Sequence, residues 1–384
     1  MMPQALMQMK ITNMETNDRV EWKKLGESCK TVSPPKKLEK ELYGEEGLYP
    51  IIDQGQKNIV GYTFDESALV PNEEYILFGD HTRYVKYHKG AFAQGADGLK
   101  ILRAVEGVLP RYLYFAFANT EVPSRGYSRH WSIAKELLIP IPSMAEQTRI
   151  VGILDTFTAS IENLKQQIAQ RRKQYEHYRD QLLDLEGKEG VEMKRLEDIC
   201  EIKGRIGFRG YTRKDQVEKG KGAISLSPGN IVDGNMSYDS CTYITWAKYE
   251  ESPEIMIDEG DVILCKTASV GKVARIDKLP EKATINPQLV VLKKLKIDSK
   301  YLNYTLQKHS IQVTLKALAG VGSVPNISQA KLGSLNIPVP FIVEQQRIVS
   351  ILDTFEAAIA NLEQQLAQRE KQYEYYRNKL LTFE

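Results

Sequence analysis

The 384-residue chain is poor in the features that usually announce chemistry. Its four cysteines, Cys29, Cys200, Cys241 and Cys265, stand apart with no CxxC pair, which excludes a zinc framework and suits a reducing cytoplasm. Only 5 histidines are present, and Asp80-His81 has no spaced partner, so it reads as structural rather than as a metal or acid-base site. No apolar run is long enough to span a membrane. The first 19 residues are Met-rich but interrupted by Gln, Lys, Asn and Asp, and read as a disordered leader rather than a signal peptide. Neither sign of charge dominates, with 52 Lys and Arg against 50 Asp and Glu. Bulk charge therefore neither requires nor excludes a nucleic-acid partner, and local clustering has to carry that question.

Cofactor motifs are missing as well. Val270-Gly271-Lys272-Val273 lacks the upstream Gly and the following Ser or Thr of a phosphate-binding loop. Asn286-Pro287-Gln288-Leu289 distantly resembles the Asn-Pro-Pro-aromatic motif of amino-methyltransferases, but the second proline and the aromatic that would stack a flipped base are absent. A stand-alone methyltransferase or nuclease is left without a site.

What the chain does have is a stretch it contains twice. Residues 146–183 and 344–381 align at a constant offset of 198 with about 27 identities in 38 positions. In both copies apolar residues recur at steps of four and three: Ile150, Leu154, Phe157, Ile161 and Leu164 in the first, Ile348, Leu352, Phe355, Ile359 and Leu362 in the second. Such a seam without interior Gly or Pro predicts a coiled-coil helix of about 57 Å. Arg171 and Arg369 interrupt the seams and are expected to fix register. Ser143 and Glu146 form a capping box at the first helix; the second has Phe341 at the capping position.

The repeat extends to the start of each half. Residues 20–29 match 191–200 at an offset of 171, so the second segment carries 27 extra residues before its helix. Each segment ends on alternating prolines, Leu138-Ile139-Pro140-Ile141-Pro142 and Asn336-Ile337-Pro338-Val339-Pro340, which forbid helix and deliver an extended chain. Between these landmarks the segments share little. Strands are expected at 75–78, 84–87, 262–265, 271–276 and 288–292, and helices at 110–119 and 300–318. The predicted fold is α+β: two mixed α/β domains separated by two long antiparallel coiled-coil helices, related as a pseudo-twofold internal repeat. The expected division is a leader (1–19), a first domain (20–142), a spacer helix (143–184), a linker (185–190), a second domain (191–340) and a second helix (341–384).

Basic residues interleave with aromatics in loop-like surroundings. Arg83, Tyr84, Lys86 and Lys89 form one cluster, and Arg125, Arg129 and His130 another. The second segment offers Lys203, Arg205, Arg209 and Arg213, then Lys266, Ser269 and Lys272. Lys and Arg neutralise phosphates and read guanine edges, so these are the candidate DNA contacts. A coiled-coil scaffold alone would explain the helices but not two elaborated domains with such loops.

Taken together, these residues resemble the specificity subunit of type I DNA restriction-modification systems. The likeness spans nearly the whole chain after residue 19. It rests on Ile-Pro-x-Pro followed by Glu-Gln-x-Arg-Ile-Val-x-Ile-Leu-Asp in both halves, on Tyr49-Pro50-Ile51, Phe78-Gly79-Asp80-His81-Thr82 and 126–131, and on Gly260-Asp261-Val262-Ile263 and Ala268-Ser269-Val270-Gly271. The resemblance implies a non-catalytic cytoplasmic subunit whose two target-recognition domains each read half of a split site in double-stranded DNA. It implies that the helices set the gap and dock methyltransferase subunits, with restriction subunits joining through the complex. AdoMet, ATP and Mg would then belong to those partners and none to this chain.

Overall fold

The computed structural model describes residues 20–383 except 96, 127, 206, 208–209 and 321–323. The leader and Arg209 therefore lie outside the described residues. The chain divides into two compact units, one of residues 1–165 with 364–384 and the other of 166–363. The units are discontinuous in sequence because each contains parts of both long helices, Met144–Leu182 and Ile342–Leu381.

In the first unit, β1 (Glu21–Lys24) pairs antiparallel with β8 (Leu138–Ile141), placing Trp22 opposite Pro140. Between them lies a six-stranded sheet in the order β2-β7-β5-β6-β3-β4. Its strands are β2 (Cys29–Val32), β3 (Tyr49–Ile52), β4 (Gly61–Thr63), β5 (Leu69–Gly79), β6 (Val85–Gln94) and β7 (Leu99–Ala104). The helix Pro110–Ala118 buries Tyr112, Leu113, Phe115 and Phe117. It shares a core with Phe78 of the sheet, with Ile150, Leu154 and Phe157 of the first long helix, and with Leu380 and Leu381 at the end of the second.

The second unit opens on β9 (Val191–Arg195), paired antiparallel with β20 (Asn336–Pro340). A four-stranded antiparallel sheet follows in the order β10-β19-β16-β17, built from Glu201–Gly204, Leu289–Lys293, Val262–Cys265 and Val273–Arg275. This is the same order and pairing as β2-β7-β5-β6. Two segments of little sequence likeness thus share one sheet, because period-two burial tolerates any apolar residue that fits the pleat. A second sheet, β11 (Gln216–Val217), β15 (Thr242–Ile244), β12 (Ala223–Leu226) and β18 (Ala283–Ile285), and a hairpin of β13 (Ile231–Val232) and β14 (Asn235–Met236) complete this unit.

The helix expected at 300–318 is two helices, Ser299–Gln307 and His309–Ala319, broken at Lys308, whose backbone is extended (φ −55°, ψ 137°). No Gly or Pro marks the break; tertiary bonds make it. Lys308 Nζ donates to the carbonyl of Leu183 (3.2 Å) and to Asp184 (3.0 Å), and Gln312 Nε2 donates to the Leu306 carbonyl (2.6 Å) that the break exposes.

Both units contain the same buttress between domain and helix. Tyr112 Oη donates to the Pro140 carbonyl and Tyr301 Oη to the Pro338 carbonyl, each at 2.7 Å and each buried. Gln147 accepts from Leu109 N–H (2.8 Å) and donates to the Pro142 carbonyl (2.9 Å); Gln345 accepts from Asp298 N–H (2.9 Å) and donates to the Pro340 carbonyl (2.8 Å). The pairs Arg111–Asp155 (2.7 Å) and Lys300–Asp353 (2.6 Å) complete the set. The prolines cannot donate, so their carbonyls are the available anchors.

The long helices run antiparallel within each unit. In the first, Phe157 stacks on Tyr376 (5.4 Å between centroids) and Lys165 pairs with Glu370 (3.2 Å). In the second, Tyr178 stacks on Phe355 (5.4 Å), Tyr175 Oη donates to Glu356 (2.9 Å) and Arg172 pairs with Glu363 (2.6 Å). Ile150, Leu154, Phe157, Leu164, Ile348 and Leu352 are buried, while Ile161, Phe355, Ile359 and Leu362 are half-buried. Arg369 lies 5.7 Å over the Phe157 ring, as a seam cation should. Arg171 does not repeat this: it is exposed and bonds Gln174 of its own helix. Ser143 Oγ accepts from Glu146 N–H at 3.4 Å, while the Glu146 carboxylate pairs with Arg149.

Candidate nucleic-acid interface

The antiparallel register brings the loops of the second domain together at one end of its main sheet. Gly204, the last residue of β10, pairs with Val290, and Cys265, the last of β16, pairs with Leu289. The segment after Gly204, the turn 266–272 and the turn 286–288 therefore emerge side by side. Lys266 N–H donates to the Gln288 carbonyl (2.9 Å), Thr267 Oγ1 to Asn326 (2.7 Å) and Ala268 N–H to the Pro325 carbonyl (2.9 Å). Ala268 has φ +64°, a left-handed turn residue that tightens the loop.

Charge separates along this sheet. Asp258, Glu259, Asp261 and Asp277 sit at the opposite end, where Lys293 is held by Asp258 (2.8 Å) and Asp261 (2.5 Å) and Lys294 by Glu201 (2.7 Å). At the loop end Lys266 forms no ion pair among the described residues; Arg213 and Lys214, which lead into β11 of the second sheet, form none there either. Among the described residues exposed Lys272 reaches only the carbonyls of Pro228 and Ile231 (3.2 and 3.3 Å), and Ser269 is exposed. Lys203, half-buried in β10, pairs with Glu201 (3.3 Å).

In the first domain the turn after β5 is built the same way. Asp80 N–H donates to the Gly98 carbonyl (2.6 Å), the counterpart of the Lys266–Gln288 bond. Asp80 Oδ1 accepts from Trp131 N–H (2.7 Å), and its carbonyl accepts from His130 N–H (2.8 Å) and lies 3.0 Å from His130 Nδ1. His130 Nε2 accepts from Arg125 N–H (3.1 Å), so Nδ1 carries the proton. The stretches 78–82 and 128–131 thus meet in space through a buried Asp and a buried His. Gly79 is required here, since a Cβ would collide with Thr82 and the Gln54 carbonyl.

Several residues expected to touch DNA are occupied internally instead. Lys86 is buried, donates to the carbonyls of Asp53 and Lys57, and has its ammonium pulled below the ordinary lysine value by burial. Arg205 is buried, donates to the Ile285 carbonyl (3.1 Å) and Thr284 (3.3 Å), lies 5.4 Å from the Tyr211 ring centroid, and is likewise lowered by burial. His130 is fully buried. Arg83 donates to the Val122 carbonyl (2.9 Å) from a left-handed backbone (φ +63°). Lys86, Arg205 and His130 are internal braces, whereas Arg83 stays exposed apart from its one backbone bond; composition could not distinguish the braces from surface cations because burial depends on the loops that fold over them. Exposed at this face are Tyr84, Arg125 and Arg129, whereas Lys89 is paired with Glu74 (3.0 Å) on the sheet.

Sequence reasoning missed the Tyr, Gln and basic-carboxylate buttress. The signal was available in Arg111-Tyr112 and Lys300-Tyr301, each following a strand and preceding a proline run. An intermediate offset of 189 between the two known offsets hid it. Burial pushes the thiols of Cys29 and Cys200 up to about 12, and each donates to the carbonyl four residues earlier, so neither is a nucleophile. Among the described residues no His, Cys, Asp and Glu group could hold a metal, and no helix is long and apolar enough to cross a membrane.

The family model for the type I restriction modification DNA specificity domain matches residues 17–171 and 188–371. The chain belongs to that family. A type I restriction enzyme specificity subunit of Escherichia coli is 33% identical over 390 residues, covering 95% of this chain and 94% of its own length. A putative type I specificity subunit of Haemophilus influenzae is 25% identical over 396 residues, covering 95% and 96%. In fold the specificity subunit resembles the S subunit of the type I restriction-modification system from M. genitalium, with a TM-score of 0.61 at 17% identity over 97% of this chain and 98% of the other. As a type I specificity subunit its task is recognition of a DNA sequence, and each matched stretch takes in one globular domain together with most of the long helix that follows it.

Proposed function

We propose that each globular domain reads one half of a bipartite target in double-stranded DNA, that the antiparallel helices set the gap between the half-sites, and that the repeated helix surfaces dock methyltransferase subunits. The observation that carries this reading is the twice-built chassis. The same sheet order, Tyr–Pro carbonyl bond, Gln bridge and basic–carboxylate pair recur, while the loops they carry differ in sequence and length. A scaffold used twice with different loops suits two half-sites of different sequence, and constant helices suit identical partners.

In this reading Tyr84, Arg125 and Arg129 face one half-site and Lys203, Arg213, Lys266, Ser269 and Lys272 the other. The chain is non-catalytic and cytoplasmic; AdoMet, ATP and Mg serve the methyltransferase and restriction subunits that join it. The complex of the full chain with its co-expressed methyltransferase partner tests the assignment by binding duplex DNA over a range of salt. Replacing Arg125 and Arg129 together by Ala is expected to lower the salt slope by roughly 2 while sparing the second half-site. An unchanged slope and affinity would make that face ordinary surface.

A further inference from the structure

The Asn286-Pro287-Gln288 turn resembles a catalytic motif without completing it, and its geometry assigns it another task. It occupies the loop end of the sheet, between β18 and β19, directly beside Lys266. Asn286 fixes it from inside: Oδ1 accepts from Gln288 N–H (3.0 Å), Nδ2 donates to Gln288 Oε1 (3.2 Å), and Asn286 N–H donates to the Leu226 carbonyl (2.8 Å). Buried Arg205 holds the preceding Ile285 carbonyl, so a guanidinium anchors the turn at its root. Gln288 is half-buried and its oxygen is taken, which leaves the Nε2 amide hydrogens as its free group; no bond to Nε2 exists among the described residues.

We propose that Gln288 is a base-reading residue of the second half-site, presenting its Nε2 donor to a major-groove acceptor such as guanine O6 or N7 or thymine O4. Three observations converge on it. The side chain is pre-oriented by Asn286, which lowers the entropy lost on contact. The adjoining turn carries Lys266, in no ion pair among the described residues, and exposed Ser269, groups suited to phosphate, while Asp258, Asp261 and Glu201 lie at the other end of the sheet. The first domain has Gly98 at the corresponding position, bonded through its carbonyl to Asp80 N–H as Gln288 is to Lys266 N–H. The turn is Ala-Asp-Gly at 96–98 and Asn-Pro-Gln at 286–288, so at the position whose carbonyl bond is shared the first domain has no side chain and the second has an amide, a difference of the kind that distinguishes two half-sites.

This inference rests on the half-site reading above. The complex with the methyltransferase partner is incubated with a library of duplexes, and methylated sites are sequenced for the unaltered chain and for Gln288→Ala and Gln288→Glu. The expected result is that base preference at one position of one half-site falls by about tenfold or more, or inverts for the Glu variant, with the other half-site and the gap unchanged. Unaltered preferences in both variants, or an equal loss over all sequences in both, would overturn the assignment and leave Gln288 a scaffold residue. Failure of the unaltered chain to direct any sequence preference would instead sink the half-site reading itself.

Discussion

Glu356 is a carboxylate largely withdrawn from water between Tyr175 and Tyr304, whose hydroxyls donate to it at 2.9 and 2.8 Å. Burial raises its pKa above the usual carboxylate value despite both bonds. A raised acid stabilises the fold fully only below its unfolded value near 4.5, and that contribution is lost as pH rises through the higher folded value. Glu356→Gln keeps an acceptor without the charge, so its melting temperature should exceed that of the unaltered chain at pH 7 and converge with it towards pH 4.5. Thr158 occupies the equivalent place in the first repeat, so the same segment tolerates a neutral residue. A second prediction concerns the buttress tyrosines. Tyr112→Phe and Tyr301→Phe each orphan a buried proline carbonyl, costing about 1–3 kcal/mol in urea unfolding, and a loss near zero for both would deny these bonds a structural role.

Among the elements, the helix pair is less uniform than its sequence repeat. Phe157 is buried in the first unit and covered by Tyr376, Tyr373 and Arg369, whereas Phe355 is half-buried with Tyr178 stacked on it. Phe157→Ala should therefore cost about 3–5 kcal/mol by chemical denaturation, and Phe355→Ala clearly less. Equal losses would mean that identical heptads pack identically, against the asymmetry of burial. The turn elements separate bracing from contact in the same way. Lys86→Met replaces a buried ammonium by an apolar side chain of similar length, and is expected to leave the salt slope of DNA binding unchanged, in contrast to the Arg125 and Arg129 pair. A slope lowered by 1 would return Lys86 to the phosphate contacts.

For the whole molecule, the decisive quantity is helix length. Inserting one heptad after Ala169 and another after Ala367 keeps the apolar stripe in phase and adds roughly 10 Å to each helix, equivalent to about three base pairs of DNA. Methylation mapping should find both half-sites unchanged and the gap between them longer. A changed half-site with an unchanged gap would place sequence reading in the helices.

Much of this organisation follows from the sequence alone. The internal repeat, the two long helices, their seams and the proline-bounded strands are local or periodic signals, each written in neighbouring residues. The helix at 110–118 and the strand at 262–265 were legible for the same reason. Tertiary structure decided what periodicity cannot express. It set which half of each helix joins which unit, because antiparallel pairing is a relation between residues about 200 apart. It also broke the helix at Lys308, where bonds to Leu183 and Asp184 outweigh local propensity. Above all it sorted the cations: Lys86 and Arg205 look like Arg125 and Lys266 in composition. Only the loops folded over them settle which charges are desolvated and hold backbone carbonyls and which remain in water, free to meet phosphate.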